Sequence, residues 1–214
     1  MCSDVPTTDA NTIVGKHSGM VPRPELTRRL TQAFLDHGYE QINMTGLAQA
    51  ADMTRRSLYN YFSNKEEVFR FVIDQGNARA VSLGMEAGRM KFVNGASAIE
   101  ILTEIINIRY GENRRRLMVS PHALEINDQA FRRCRDIMIN SAISFQAQLA
   151  EMIIDLEKAG RLTRKPAITP AALAQLIADG ARGTNQALPP IASEQLVERY
   201  RQMVAALLLG TAHV

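Results

Sequence analysis

Apolar residues recur at the three- and four-residue spacing of a helix along almost the whole chain from Pro24 onward. In the first such segment Leu26, Leu30 and Phe34 fall on one helical face, with polar residues between them. Pro24 suits the first turn of a helix, and glycine, here Gly38, is the residue that most often follows its end. The pattern predicts a first helix between these two residues.

Longer amphipathic segments follow and predict further helices. They cover 65–89, 96–115, 129–159, 170–186 and 193–209, with a shorter helical piece near 121–126. Breaks between them are marked by Gly160, Pro166 and the Pro189–Pro190 pair. No stretch has the alternation of apolar and polar residues that is typical of a strand bounded by turns. The chain is therefore predicted to be all-α.

Residues 43–65 have the pattern of two short helices joined by a tight turn. Asn43 and Thr54 are good N-caps, so each is predicted to begin one of these helices. Leu47 and Leu58 are placed to pack the two helices against each other. The segment is therefore a candidate helix-turn-helix.

The charge pattern of the same segment favours nucleic acid. Between Met53 and Lys65 the chain carries Arg55 and Arg56 but no acidic residue. A short helix with arginines near its N-terminus can enter the major groove, where arginine bonds guanine in a bidentate way. Free N–H groups at the starts of the second and fourth helices suit phosphate oxygens. The alternative for these residues is a solvated helix face backed by core tyrosines.

These features together resemble the DNA-binding domain of the TetR family of bacterial transcriptional regulators. That family has an aromatic residue and a glycine at the end of its first helix, matched here by Phe34 and by Gly38 with the tyrosine after it. Its hallmark is Leu-Tyr, a variable residue, an aromatic or histidine, and Phe. LYNYF at 58–62, followed by SNKEE at 63–67, matches that hallmark. The resemblance covers residues 24–72.

The resemblance implies a sequence-specific regulator whose third helix reads double-stranded DNA. The residues it assigns to DNA contact are Thr45, Thr54, Arg55, Arg56, Ser57, Tyr59, Asn60, Tyr61 and Lys65. Asp52 stands at a turn position that is commonly glycine, and Asp tolerates a left-handed backbone better than most residues. Arg56 stands where the family usually has a small residue or proline.

For the rest of the chain the resemblance is architectural. It implies a helix-turn-helix domain over 22–68 and a helical sensing and dimerisation domain over 69–214. Residues 1–21 are rich in Ser, Thr, Asp, Asn and Gly without an apolar period, which predicts a disordered arm. The residues expected in a homodimer interface on the last two helices are Leu173, Leu176, Ile177, Gly180, Tyr200, Met203, Val204 and Leu207. An intramolecular core is the alternative for this face.

The middle helices are expected to bind a small-molecule effector of unknown identity. The candidate pocket residues are Tyr110, Met118, His122, Met138, Phe145, Gln148 and Met152. Methionine suits adaptable apolar pockets, although residues of these types are more often ordinary core or boundary residues than ligand contacts. The arginines of this region could attract an acidic ligand but are interpreted as solvated helix ends; they are Arg109, Arg114, Arg115, Arg116, Arg132, Arg133 and Arg135.

Composition adds bounds to this picture. The 214 residues carry a net charge of +3 and are 46% hydrophobic, which is enough for a buried core and compatible with nucleic acid. No apolar run is long enough to cross a bilayer and the N-terminus lacks a signal-peptide pattern, so a cytoplasmic protein is expected. Two cysteines, Cys2 and Cys134, do not make a disulfide framework.

Enzymatic alternatives have little support in the residues. A helical metalloenzyme needs Glu-x-x-His pairs on two helices, whereas the chain offers only His122 and Glu125 in reversed order. Gly15 to Ser18 lacks the first glycine and the Ser/Thr of a phosphate-binding loop. No enzyme, cofactor or metal is expected. The function expected is a repressor released from a pseudo-palindromic operator by a ligand, with a helical protein-interaction adaptor as the alternative.

Overall fold

The computed structural model describes residues 24–213, so the arm predicted over 1–21 lies outside the described residues. The helices are α1 (Pro24–Gln41), α2 (Met44–Ala50), α3 (Arg55–Tyr59), α4 (Lys65–Val93), α5 (Ala98–Ile106), α6 (Asn113–Met118), α7 (Ala123–Arg133), α8 (Arg135–Lys158), α9 (Pro170–Asn185) and α10 (Leu196–Thr211). A π segment (Asn107–Glu112) joins α5 to α6, and a 3-10 turn (Ser193–Gln195) precedes α10. Two short strands, Thr163–Arg164 and Ala212–His213, pair antiparallel. The prediction of an all-α fold is confirmed.

Short polar side chains begin most of the early helices. They accept hydrogen bonds from main-chain N–H groups that have no partner inside the first helical turn. Asn43 caps α2 and Thr54 caps α3, as the sequence predicted. Asn64, Ser97 and Thr169 cap α4, α5 and α9 in the same way. The helix starts are therefore set by local sequence.

α1, α2, α3 and the start of α4 enclose an apolar N-terminal core. Leu30, Leu47, Leu58 and Phe69 are fully buried in it, and each such side chain contributes roughly 1.5–3 kcal/mol by leaving water. Side chains from α7 and α8 complete this core, namely Ile126, Ala130, Cys134 and Ile137. The helix-turn-helix is therefore packed in part by the second half of the chain.

A larger C-terminal core lies between α4, α5, α8, α9 and α10. Ile101, Phe145 and Tyr200 are fully buried there. Two glycines of α4, Gly84 and Gly88, allow α5 to pack closely against it. A Cβ at Gly88 would lie 2.4 Å from Cγ1 of Ile105. α4 thus contacts both cores along its length.

The helix predicted over 129–159 is wrong in one respect: it is two helices that break at Cys134. At the break the guanidinium of Arg70 donates to the main-chain oxygen of Arg133. An unbroken helix would bond that oxygen to the N–H of Ile137, four residues on. The short piece predicted near 121–126 is accordingly an eleven-residue helix, α7.

α8 is the one described helix that is long and apolar enough to cross a membrane by length and composition, with a mean hydropathy of 1.3 in its most apolar window. Its Phe145, Leu149 and Ile153 are fully buried in the C-terminal core. A single helix of this kind is weak evidence for a membrane span, because core helices of soluble proteins pass the same test.

Candidate functional site

α3 presents the predicted basic residues outward. Leu58 on the opposite face is fully buried, which fixes the orientation of the short helix. Of the nine predicted DNA contacts, the exposed ones are Thr45, Thr54, Arg55, Arg56 and Asn60. The half-buried ones are Ser57, Tyr59, Tyr61 and Lys65. The exposed members form a surface around α3 that a major groove can accept.

The two arginines of α3 differ in their surroundings. Nη2 of Arg55 donates to the hydroxyl of Tyr59 at 3.2 Å, and its guanidinium carbon lies 5.4 Å from the centroid of that ring. Arg56 makes no hydrogen bond or ion pair with any residue in 24–213. Arg55 is therefore preorganised by its neighbour, while the head group of Arg56 is held by none of the described residues.

The turn between α2 and α3 depends on Asp52, whose φ of 56° is left-handed. This is the position where the family commonly has glycine, and Asp takes the same conformation here. A carboxylate oxygen of Asp52 lies 3.4 Å from Nη1 of Arg29, which also donates to the main-chain oxygen of Ala51 at 3.3 Å. Sequence reasoning missed Arg29, because its partners Ala51 and Asp52 lie in the turn after α2, at least 22 residues further along the chain.

A carboxylate at the start of α1 holds Arg29 from the other side. Glu25 accepts hydrogen bonds from Arg28 and from Arg29, and these bonds lower the pKa of Glu25 to about 2. Glu25 therefore stays ionised throughout the physiological range.

Lys65 lies differently from the prediction. Its ammonium donates to the main-chain oxygens of Tyr39 at 2.8 Å and Glu40 at 3.3 Å, and it sits 4.4 Å from the Tyr39 ring centroid. It therefore ties the start of α4 to the end of α1. The N–H groups at the starts of α2 and α4, predicted to hold phosphates, are partly occupied by the side chains of Asn43 and Asn64.

α7 fastens the helix-turn-helix to the rest of the chain, a contact that the sequence did not predict. The hydroxyl of Ser120, just before α7, donates to the main-chain oxygen of Leu35 at 2.5 Å. The carboxylate of Glu125 accepts from the N–H of Glu40 at 2.6 Å, and Gln129 donates to the Glu40 carboxylate at 2.6 Å. Ser120, Glu125 and Gln129 thus make hydrogen bonds to the C-terminal part of α1.

A second link joins the start of α4 to α7 and α8. Nη1 of Arg133 donates to the carboxylate of Glu66 at 2.9 Å, and its guanidinium carbon lies 4.6 Å from the Tyr39 ring centroid. Arg70 pairs with Asp136 at 2.5 Å, and this hydrogen bond lowers the pKa of the Asp136 carboxyl. Interpreting Arg133 as a solvated helix end was therefore wrong, whereas Arg132 and Arg135 are exposed as expected.

The residues predicted to line an effector pocket are divided among three places. The rings of Tyr110 and Phe145 meet edge to face at 5.7 Å, and Met152 is buried in the same C-terminal core. Met138 packs against the N-terminal core instead, and Met118 is exposed. The remaining two candidates lie elsewhere: His122 is 3.4 Å from the Glu125 carboxylate, and Gln148 bonds Ser144. The structure does not bring the seven together, because His122, at the N-cap of α7, lies beside Gly38 of α1 and Met138 packs against the N-terminal core.

Three of the four arginine predictions near residue 110 were also wrong. Arg109 is only 7% exposed. Arg114 donates to the main-chain oxygens of Thr184 and Ile191, and Arg115 donates to Asn107. Arg116 is exposed. Arg109 lies in the π segment, whereas Arg114 and Arg115 lie on α6, which follows it directly.

Half of the predicted dimer residues are wrong for that role. Leu173, Ile177, Tyr200 and Val204 are fully buried in the C-terminal core and cannot contact a second subunit. Both faces of α9 and α10 carry apolar or small residues, so periodicity did not tell the inner face from the outer. Of the other four predicted residues, Leu176 is exposed, while Gly180, Met203 and Leu207 are half-buried.

Other chemistry is sparse in the described part of the chain. No group of three or more His, Cys, Asp or Glu side chains within 24–213 is arranged to hold a metal ion. Cys134 is buried, and burial raises the pKa of its thiol to about 11, so the reactive thiolate is absent at neutral pH.

An exposed basic helix on a helix-turn-helix, followed by a larger helical domain, defines a class of DNA-binding transcription regulators rather than enzymes. Residues 28–72 match the family described as bacterial regulatory proteins, tetR family. This segment of the chain is therefore a DNA-binding domain of the TetR family, a family of DNA-binding transcription regulators.

Solved structures share the fold of nearly the whole chain. A TetR transcription regulator from Haloarcula marismortui matches with a TM-score of 0.66 at 15% identity, covering 88% of this chain and 97% of that one. The fatty acid degradation regulator FadR from Bacillus halodurans gives 0.61 at 19% identity, covering 88% and 97%. FadR from Thermus thermophilus, a TetR family transcriptional repressor in complex with lauroyl-CoA, gives 0.58 at 18% identity, covering 87% and 93%. None of the curated proteins matches the chain in sequence.

Proposed function

We propose that this regulator is a cytoplasmic homodimeric repressor that leaves a pseudo-palindromic operator when a small molecule binds its helical domain. The observation that carries the proposal is the outward-facing basic surface of α3, joined through α4 and α7 to the C-terminal core. A dimer presents two such helices, and the distance between them decides whether both half-sites can be read at once. The nine residues assigned above, except Lys65, are the proposed DNA contacts.

Ligand control is proposed to act through the two links between the domains. α4 joins them covalently, while Glu125, Gln129 and Arg133 hold α1 and α4 from the side of α7. An effector that binds better to one arrangement of these helices shifts the population toward it, and only such differential affinity can do so. The Thermus thermophilus repressor, described with a bound acyl-CoA, supports ligand binding within this fold.

Operator binding tests the proposal directly. Full-length protein is mixed with DNA fragments from upstream of its own gene and with an unrelated fragment of equal length, at about 50 mM and about 200 mM salt. We expect one fragment to bind well above the unrelated one, with affinity falling by about 10³-fold or more at the higher salt if several phosphates are contacted. Equal weak binding to all fragments would instead support the adaptor alternative.

The dimer is proposed to form on the outer face of α9 and α10. Leu176 is 43% exposed, and Leu209 is 68% exposed, which leaves apolar surface on both helices. Gly183 lies two turns from Leu176 on the same face, and a Cβ added there meets nothing within 4 Å. Small residues at such a face allow helices of two subunits to approach closely.

Gly183→Arg is expected to weaken the dimer by at least tenfold without harming the monomer fold. The added side chain has open space in one subunit, whereas in the interface it would bury an unpaired charge. Sedimentation velocity across a concentration series measures the effect. Gly76→Arg is the matched control, since Gly76 is a helical glycine on α4 that is also open. An unchanged dimer in Gly183→Arg would place the interface elsewhere.

A further inference from the structure

Arg109, in the π segment, is a buried cation held by neutral groups. It is 7% exposed, and its Nη2 donates to Oδ1 of Asn77 and to the hydroxyl of Ser141, both at 3.1 Å. Nε of the same guanidinium is buried without a hydrogen-bond partner. The side chain therefore has donor capacity that the described residues leave unused.

No carboxylate compensates this charge among the described residues. None of the ion pairs within 24–213 includes Arg109. Besides Asn77 and Ser141, its guanidinium lies near the rings of Tyr110 and Phe145, with centroids 5.1 and 5.8 Å away, and near the like charge of Arg182. Burial lowers the pKa of Arg109, yet arginine remains protonated in proteins. An unpaired buried charge is destabilising, so an added anion beside this guanidinium would be favourable.

A second unused donor lies next to it. The Tyr110 hydroxyl is buried and makes no hydrogen bond of good geometry, although Arg182 lies beside it. Burial raises the pKa of this phenol, so it keeps its proton and can donate. Arg109 and Tyr110 are consecutive residues that both turn into the C-terminal core, which a π segment permits.

We propose that Arg109 and Tyr110 form the binding site for the carboxylate of a small organic acid, and that such an acid is the effector. Nε of Arg109 and the hydroxyl of Tyr110 donate to the carboxylate oxygens, and Phe145 contacts the apolar body of the acid. Charge-assisted hydrogen bonds of this kind are about twice as strong as neutral ones. This inference rests on the proposed function only in naming the acid as the effector.

Asn77 connects this site to the DNA-binding domain. It lies on α4, three turns from the start of that helix, and its Nδ2 also donates to the main-chain oxygen of Ile73 at 2.9 Å. Asn77 accepts from Nη2 of the same guanidinium whose Nε is proposed to bind the carboxylate. The proposed site is therefore directly next to a contact that α4 makes with the π segment.

Thermal unfolding of the full-length protein tests the site without DNA, so its failure is distinct from a failure of operator binding. The probes are hexanoate, octanoate and benzoate, each compared with its neutral amide, and inorganic phosphate as a further anion. The proteins are wild type, Arg109→Met, Tyr110→Phe and, as a surface control, Arg132→Met, whose side chain is 71% exposed.

We expect at least one carboxylate to raise the wild-type Tm by about 5–10 °C at hundredfold excess over its Kd, and its amide to have little effect. Arg109→Met should unfold at the wild-type temperature or above without probe, and should lose the rise; Tyr110→Phe should keep its Tm and reduce the rise. Arg132→Met should behave as wild type. A Tm of Arg109→Met several degrees lower would show a structural arginine and overturn the site. Equal shifts in Tm for wild type and Arg109→Met would also overturn the site. The same holds if no carboxylate raises the wild-type Tm more than its amide does, or if phosphate raises it most.

Discussion

Replacing Arg55 and Arg56 together by alanine is expected to reduce affinity for the operator by roughly 2–6 kcal/mol, or about thirtyfold or more, because each good arginine–base contact is worth about 1–3 kcal/mol. Both side chains are exposed on α3, so their removal leaves the N-terminal core intact. Binding to the unrelated fragment should fall less, since base contacts carry the discrimination and phosphate contacts do not.

Fluorescence anisotropy with operator and unrelated DNA over a salt series measures this double variant. The slope of log affinity against log salt falls by about one for each phosphate that the variant no longer neutralises, and it stays constant where the arginine bonds only a base. Arg132→Ala is the control, because it removes an exposed arginine on α7 that is paired only with Asp128. If the double variant and the control bind the operator equally well, α3 does not read the groove.

Local signals explain why the helix-turn-helix was predictable. Asn43 and Thr54 cap the helices that they precede, and Leu58 is buried at the position its spacing indicates. The left-handed turn at Asp52 follows from the chemistry of the residue itself. Each of these features is decided within a few residues of the chain, and such features can be read from sequence without knowledge of the fold.

Long-range contacts explain what the sequence did not reveal. Glu125 and Gln129 are polar, as is typical of a solvated helix face. They form hydrogen bonds with Glu40 because α7 packs against α1 in the folded protein. The prediction of a solvated Arg109 is wrong because the residue is buried in the π segment. Apolar periodicity does not report such a local change in winding. The sequence around Lys65 likewise does not show that its ammonium donates to a main-chain oxygen at the end of α1.

Gly38→Ala is expected to destabilise the protein by about 2–6 kcal/mol and to lower Tm by about 5–20 °C. With φ 72° and ψ 173°, Gly38 has a backbone conformation that is almost exclusive to glycine, which accounts for roughly 1–3 kcal/mol. A Cβ there would also lie 2.4 Å from the Glu125 carboxylate and 2.8 Å from Nδ1 of His122. Glu125 can move only by releasing the N–H of Glu40, a charge-assisted hydrogen bond worth about 1.5–3 kcal/mol.

Two glycine variants separate the backbone and contact contributions in calorimetric unfolding. Gly95→Ala shares the positive φ, at 82°, but its Cβ meets nothing within 4 Å, so it loses only the backbone contribution. Gly76→Ala, in the open middle of α4, should be neutral or stabilising by about 0.5–1 kcal/mol. The difference between Gly38→Ala and Gly95→Ala then measures how firmly α7 holds α1. If both variants lose the same unfolding free energy, α7 does not hold α1 in place. α4 alone must then transmit the signal from the C-terminal core to the DNA-binding surface.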